Sequence, residues 1–483
     1  MKLLKSKKEY GIILLFLLLL VFPLFKMEYA TDTYTIQQVG LKAFGDSMVS
    51  NGRLVTAIFF YLFDKLSIGV TGFYYASFIL SIVCMSVAIY RMYKIVQGRM
   101  GYLLSLFVAV LVVLNPLAVE YFLFIEKGFF AFAILMTVIA CEGFVAFLRS
   151  RSIKGLVIAY LTLMLASFTY QSIPGAFVTL SVVFIVIYSK SKKELIINNL
   201  VAASVYGFGV ALDFVFLKLF GGSRISGGIH LSNLKKVAFL LGWQTIFIYL
   251  GIIAILFLIC ALISKSRTGA AFGKACQVSF IKCIYAFAAA LLVVYLPFLF
   301  TSPSEVWLMF RIAYPLGVLI GAYVVLFCYH KEGVSSNGTK HPSKAGLISI
   351  VVVLFVELVF FHTMIFGRLI NNSTDEALCH QIGEIIEEYE KESGTEIKYV
   401  KIYYDVKIEK RNPGVLKIGD CNARAFSKPW SDVSHMNAIL ERSFIRLDGD
   451  VSIYQTYFAN KSWDSFSEEQ LVFENETLHI CVY

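Results

Sequence analysis

The residues of this sequence whose types and spacing suit chemistry are acids and arginines at the ends of apolar runs. The segment 26–53, KMEYATDTYTIQQVGLKAFGDSMVSNGR, lies between the first apolar run and the next full-length one. It carries Asp32, Asp46 and Arg53 among aromatic and amide side chains. Connecting segments on a rigid scaffold are common carriers of catalytic groups. Transfer of a phosphate-activated group to a hydroxyl needs a base for the acceptor proton and cations for the departing phosphate. A carboxylate near a membrane interface suits the first task, because partial burial raises its pKa toward working pH. Asp32, in ATDTY, is the first candidate and Asp46, in FGDS, the second. For both the competing role is a solvated loop acid or a helix cap. Arg53, where the chain re-enters the apolar phase, and Arg311, which opens RIAYPLGVLI, suit the phosphate. Their competing role is interfacial anchoring by snorkelling.

In NPLAVEYFLFIEKGFF a turn holds Asn115, Pro116, Glu120, Glu126 and Lys127. An acid among Tyr121 and Phe122 is costly near hydrocarbon unless it faces a wet cavity. Glu120 is therefore read either as substrate-facing or as the ion-pair partner of Lys127, itself a further candidate for the phosphate. Tyr170 and Gln171, in FTYQSIPG, suit hydrogen bonds to sugar hydroxyls, or simply close a polar turn. Lys235 and Lys236 suit an acidic acceptor or lipid phosphate, or only headgroups. Asp213 sits inside an apolar run, with Lys218 as its candidate partner. No P-loop, HExxH or paired CxxC occurs, so no metal and no cofactor is implied.

The elements that must position these groups are read from hydropathy. At 58% hydrophobic, 16% charged and a mean hydropathy of +0.73, the 483-residue chain is not a soluble protein. After MKLLKSKK a first span is read as retained, with the N-terminus inside and 26–53 outside. The run 54–70 contains Asp64 and Lys65 and is read as lying against the membrane or entering it partway. Further crossings are read at 72–90, 102–119, 129–148, 156–170, 176–188, 196–219, 239–263, 284–300, 312–329 and 347–366. Each loop placed inside holds at least three Lys or Arg, among them Arg91, Lys94, Arg149, Lys265, Arg267, Lys331 and Lys340. The expectation is a polytopic α-helical membrane protein of about eleven transmembrane helices in the cell membrane, spanning residues 1–366.

The net charge of +10 is split, because from residue 367 onward there are 13 Lys and Arg against 20 Asp and Glu. The positive charge thus sits in short loops between spans, which argues against nucleic acid as a partner. The tail, 367–483, is expected to form a small extracytoplasmic α/β domain. NSTDEALCHQIGEIIEEYEKES reads as an amphipathic helix, EIKYVKIYYDVKI as a strand, SDVSHMNAILE as a short helix and LVFENETLHICVY as a hairpin. Cys379, Cys421 and Cys481 allow one disulfide in the tail.

With these residues laid out, the chain resembles the bacterial membrane glucosyltransferase family of type II O-antigen serotype conversion, in the C class of glycosyltransferases (GT-C). The matching features are the acidic segment ending in Asn51-Gly52-Arg53, then Asn115-Pro116 with Glu120, the Tyr170-Gln171 turn, and Arg311 leading RIAYPLG. The resemblance implies transfer of glucose or a similar hexose from a polyprenyl-phosphate carrier to a surface polysaccharide or teichoic-type acceptor on the outer face. It implies membrane lipid, a small flippase and a carrier glycosyltransferase as partners. It places Asp32 as the first-loop acid, Arg53 as the closing arginine, Glu120 as the second acid, and Asn51 with the turn pair at the sugar. Many relatives have two adjacent acids in the first loop, whereas Thr33 follows Asp32 here, so Asp46 and Glu120 also stand as candidate bases. A transporter or flippase is the alternative, suggested by the many spans and by Asp213.

Overall fold

A computed structural model describes residues 2–97, 102–220, 228–240, 272–303, 306, 309–329, 344–405, 412, 414–418 and 421–482. The chain is mostly helical. Among the described residues six helices are long and apolar enough to cross a membrane: Lys8–Phe25, Val70–Gln97, Lys127–Ser150, Lys192–Leu219, Ile281–Phe300 and Ile350–Ser393. The bent pair Tyr102–Val113 and Pro116–Phe122 would make a seventh. This is compatible with a membrane protein, and it is fewer than the eleven spans expected. Ile153–Thr169, Gly175–Tyr188 and Arg311–Leu326 are apolar but shorter than a full crossing. The expected span 239–263, beyond its first two residues, lies outside the described residues, as do 221–227, Lys265, Arg267, Lys331 and Lys340.

Helix α7 (Lys127–Ser150) packs against both α4 (Val70–Gln97) and α8 (Ile153–Thr169), with α1 (Lys2–Val21) against α4. Gly143 and Gly155 let α7 and α8 touch backbone to backbone, since a Cβ on either would lie 2.4 or 2.6 Å from the other's carbonyl. Helices α4 and α7 run parallel, because the chain returns between them through α5 (Tyr102–Val113). Pro116 breaks that return. Asn115 caps the break by accepting from the Leu117 N–H at 3.1 Å, and its side chain fills the space a Cβ on Gly317 would need. The chain then bends by 44° into the short α6 (Val119–Phe122), which carries Glu120 into the interior.

The two ends of the bundle differ. At the C-terminal ends of α4 and α7, Arg91 pairs with Glu142 at 2.8 Å, Lys94 with Glu9 at 3.2 Å, and Arg149 donates to the Tyr188 hydroxyl at 2.7 Å. The other end holds the segment 26–53. Expected as a loop, it is mostly helical: α2 (Thr31–Ser50) kinks at Gly40, where φ is +85°, and packs as a hairpin on α3 (Leu54–Lys65). The twelve residues of α3 extend about 18 Å, less than the roughly 30 Å of a hydrocarbon core.

The expected break after residue 366 is absent. One helix of 50 residues, Lys344–Ser393, runs from the apolar bundle into the tail, because neither Pro nor a Gly pair interrupts it. The tail's sheet is four-stranded, in the order β2-β1-β4-β3. Strands β1 (Tyr399–Tyr404), β2 (Ile445–Leu447) and β4 (Thr477–Val482) are parallel, and β3 (Leu471–Glu474) forms a hairpin with β4. The long helix lays Leu378, Cys379, Ile382 and Ile386 into a core shared with Val400, Leu478 and Ile480. Cys379, Cys421 and Cys481 are all buried, and among the described residues no disulfide joins them to one another.

Candidate active site

The pair at the centre of the site joins residues 191 positions apart. Glu120 is fully buried and accepts two bonds from Arg311, one from its backbone N–H and one from Nη1 at 3.3 Å. The Arg311 Nε–H donates to the Tyr170 hydroxyl at 2.7 Å, and the guanidinium lies 4.0 Å from the centre of the Phe124 ring. Tyr121 donates to the Arg311 carbonyl at 2.7 Å, so the short helix α6 grips both ends of this residue. Arg53 approaches from the other side, 4.5 Å over the Tyr170 ring, and its Nη1 points to the Met48 sulfur at 3.8 Å. A buried charge pair is costly to desolvate and holds only with such additional bonds.

Around this pair lie Glu126, Asp32 and Lys127. Glu126 is buried, with one carboxylate oxygen unpartnered, and burial followed by the charge of Asp32 pushes its pKa up while Arg53 and Arg311 pull it down. Asp32 is half-buried in the first turn of α2, where a negative charge is favoured by the helix dipole. Lys127 opens α7, where the dipole disfavours a cation. Its ammonium is compensated by Glu28 at 3.1 Å and by the Tyr74 ring at 3.7 Å. Arg368, also buried, donates to the Ala423 carbonyl at 3.1 Å and lies within electrostatic reach of Lys127. Four acids, Glu28, Asp32, Glu120 and Glu126, thus face four cations, Arg53, Lys127, Arg311 and Arg368.

The corner between α2 and α3 is fixed by Gln171, whose Nε2 donates to the Asn51 carbonyl at 2.7 Å and approaches Asp213 at 3.4 Å. Gly52 passes between these groups at φ +77°, where an added Cβ would meet Asp213 at 2.7 Å. The tail fixes the other end of α2. Asn372 exchanges two 2.8 Å bonds with the backbone of Tyr29, Thr35 donates to the Trp430 carbonyl at 2.7 Å, and Ser434 donates to Gln38. Beneath these contacts His435 is buried between the rings of Tyr34 and Phe426, and burial lowers its pKa.

Of the residues singled out in the sequence, Asp32, Arg53, Glu120, Tyr170 and Arg311 come together, with Asn51 and Gln171 beside them as backbone and amide supports. Others do not. Asp46 is exposed and accepts from Tyr61 at 2.7 Å on the α2–α3 hairpin. Lys235 is exposed on the separate helix Ser232–Leu240, with no contact to the cluster among the described residues. The expected pairs are exchanged: Glu120 binds Arg311 rather than Lys127, and Asp213 approaches Gln171 rather than Lys218. Lys127 is buried in its pair with Glu28 at 3.1 Å. Glu28, Arg368 and the role of Glu126 were missed. Their only sequence signal is a charge within a few residues of an apolar run. Among the described residues no group of three or more His, Cys, Asp or Glu is placed to hold a metal ion.

Fold and site together define a mostly helical chain, compatible with a membrane protein, with a balanced charge cluster at one end of its bundle. No protein-family model matches the chain, and no curated protein matches it.

Proposed function

We propose that this chain is a membrane glycosyltransferase of the GT-C kind, similar to the type II O-antigen glucosyltransferases. It would move glucose or a similar hexose from a polyprenyl-phosphate carrier to a surface glycan, as a multi-pass protein with its N-terminus cytoplasmic and its tail outside. The observation that carries this reading is the convergence of Asp32, Glu120, Glu126, Arg53, Arg311 and Tyr170 from distant segments at the bundle end that faces the tail.

In this reading Asp32, the half-buried acid, takes the acceptor proton. The acceptor oxygen attacks C1 of the hexose with inversion, and the C1–O bond breaks with its electron pair leaving on the lipid phosphate. Arg53 meets that phosphate, while Glu120 and Tyr170 hold Arg311 in place beside it. Glu126 lies beside these cations, and burial raises its pKa above the ordinary glutamate value. The test is transfer in membranes supplied with a polyprenyl-phosphate hexose. Asp32→Asn is expected to lower the rate by about 10²–10⁴, the usual size of a lost general base, while the exposed Asp46→Asn leaves it unchanged. Normal transfer by Asp32→Asn would overturn the assignment of the base.

One observation favours the transporter or flippase reading. Glu357 is buried inside the apolar part of the 50-residue helix, and among the described residues neither carboxylate oxygen has a hydrogen-bond partner. Solute movement in reconstituted vesicles that Glu357→Gln abolishes, with no glycan product, would decide for that reading.

A further inference from the structure

The surface where the tail meets α2 holds a cavity of about 350 Å³, within the range of about 300–1,000 Å³ usual for small-ligand sites. Gln37 and Gln38 line it from α2, and Ser434, Asn437, Arg442 and Phe444 from the tail. Its polar side chains are three amides, the hydroxyls of Ser434 and Ser443, and the Arg442 guanidinium. Its one cation is neutralised, because Arg442 forks onto Glu390 with bonds of 2.8 and 2.9 Å. Asn437 is locked by two bonds to the Phe444 backbone, so the tail wall is rigid. Trp430, outside the cavity lining, accepts at its carbonyl from Thr35 of α2 and is 45% exposed, with the Lys428 ammonium 5.5 Å from the centre of its ring.

A neutral, amide-rich cavity beside an exposed aromatic suits a ligand with many hydroxyls and no charge. Phosphate and acidic chains need uncompensated cations, which this cavity does not offer. Gln37 and Gln38 follow Asp32 by five and six residues on α2, about 140° and 240° around the helix, so they line the face turned to the tail and not the face of Asp32. We infer that the cavity between α2 and the tail binds the acceptor glycan, holding a neutral saccharide unit on the tail side of α2. This rests on the glycosyltransfer reading and adds to it a place and a chemical class for the acceptor.

The experiment uses the full-length protein in nanodiscs, with neutral hexose, deoxyhexose and N-acetylhexosamine oligosaccharides as probes, observed by saturation-transfer NMR. At least one probe is expected to bind to wild type and to Asp32→Asn with equal affinity. Gln37→Trp, which fills the cavity from its exposed side, should weaken that binding at least tenfold, and Gln37→Ala less. In the transfer assay Gln37→Trp should raise the acceptor KM with donor KM unchanged. Binding that Gln37→Trp leaves intact, or no binding by any probe, would overturn the cavity assignment and leave the transfer reading standing. Preferential capture of a charged peptide over every saccharide would overturn it as well. Glycan binding together with normal transfer by Asp32→Asn would instead retain the cavity and sink the proposed base.

Discussion

Breaking the Glu120–Arg311 pair is the most direct perturbation of the site. With Oε1 and Nη1 at 3.3 Å and side-chain exposures of 0% and 8%, the two charges attract by about 5 kcal/mol at an effective dielectric of roughly 20. Glu120→Gln preserves an acceptor for the Arg311 backbone N–H and removes only the charge. It leaves a guanidinium surrounded by Phe124 and Tyr170 with no carboxylate in bonding contact, a loss of about 3–5 kcal/mol for buried pairs. Arg311→Met removes the cation beside the buried Glu120 carboxylate, at a similar cost. The double variant removes both charges and should cost no more than either single, so the cycle yields a coupling of at least about 3–5 kcal/mol. Reversible unfolding in mixed dodecyl maltoside and SDS micelles measures it. Arg91–Glu142, at 2.8 Å but 46% and 42% exposed, supplies the internal control, with an expected coupling under about 1 kcal/mol. A Glu120–Arg311 coupling no larger than that of the control would refute the picture of a dry pair gripped by α6.

Two further perturbations report on neighbouring parts of the site. Burial raises the Glu126 pKa above the ordinary glutamate value, so below that ordinary value the group is neutral in both folded and unfolded chains. As pH rises the unfolded chain ionises first, and wild type should lose stability relative to Glu126→Gln until the raised folded pKa is passed. A difference between the two unfolding curves that stays flat across this window would contradict the burial. At Gly52 the positive φ and the 2.7 Å approach to Asp213 predict that Gly52→Ala costs about 1–3 kcal/mol and lowers transfer by displacing Arg53. Unchanged unfolding and transfer would show that the corner adapts.

The parts of the fold that were legible are those set by local pattern. Uninterrupted apolar runs became α4, α7 and the helix Lys192–Leu219, the alternation of EIKYVKIYYDVKI became β1, and the hairpin read in LVFENETLHICVY became β3 and β4. Segment α2 was not legible as a helix, because it is contacted on one side by α3 and on another by the tail, and its apolar residues follow no single stripe. The long helix was split in the sequence reading by its change of composition, although composition does not end a helix unless backbone geometry does. At the site, residue types at span ends were readable but their pairing was not. Glu120 finds Arg311 across 191 positions and Lys127 finds Glu28 across 99, and only tertiary packing selects such partners.

The 50-residue helix has a mechanical consequence. Its 27 residues beyond 366 project about 40 Å, and nothing along them acts as a hinge. A lean of about 10° in the apolar half, pivoting near Gly367, would therefore carry the far tip by about 7 Å. The Tyr29–Asn372 and Gln38–Ser434 bonds tie α2 to the same lever. Bilayer thickness, by setting that lean, would be transmitted as a change in the attitude of Asp32.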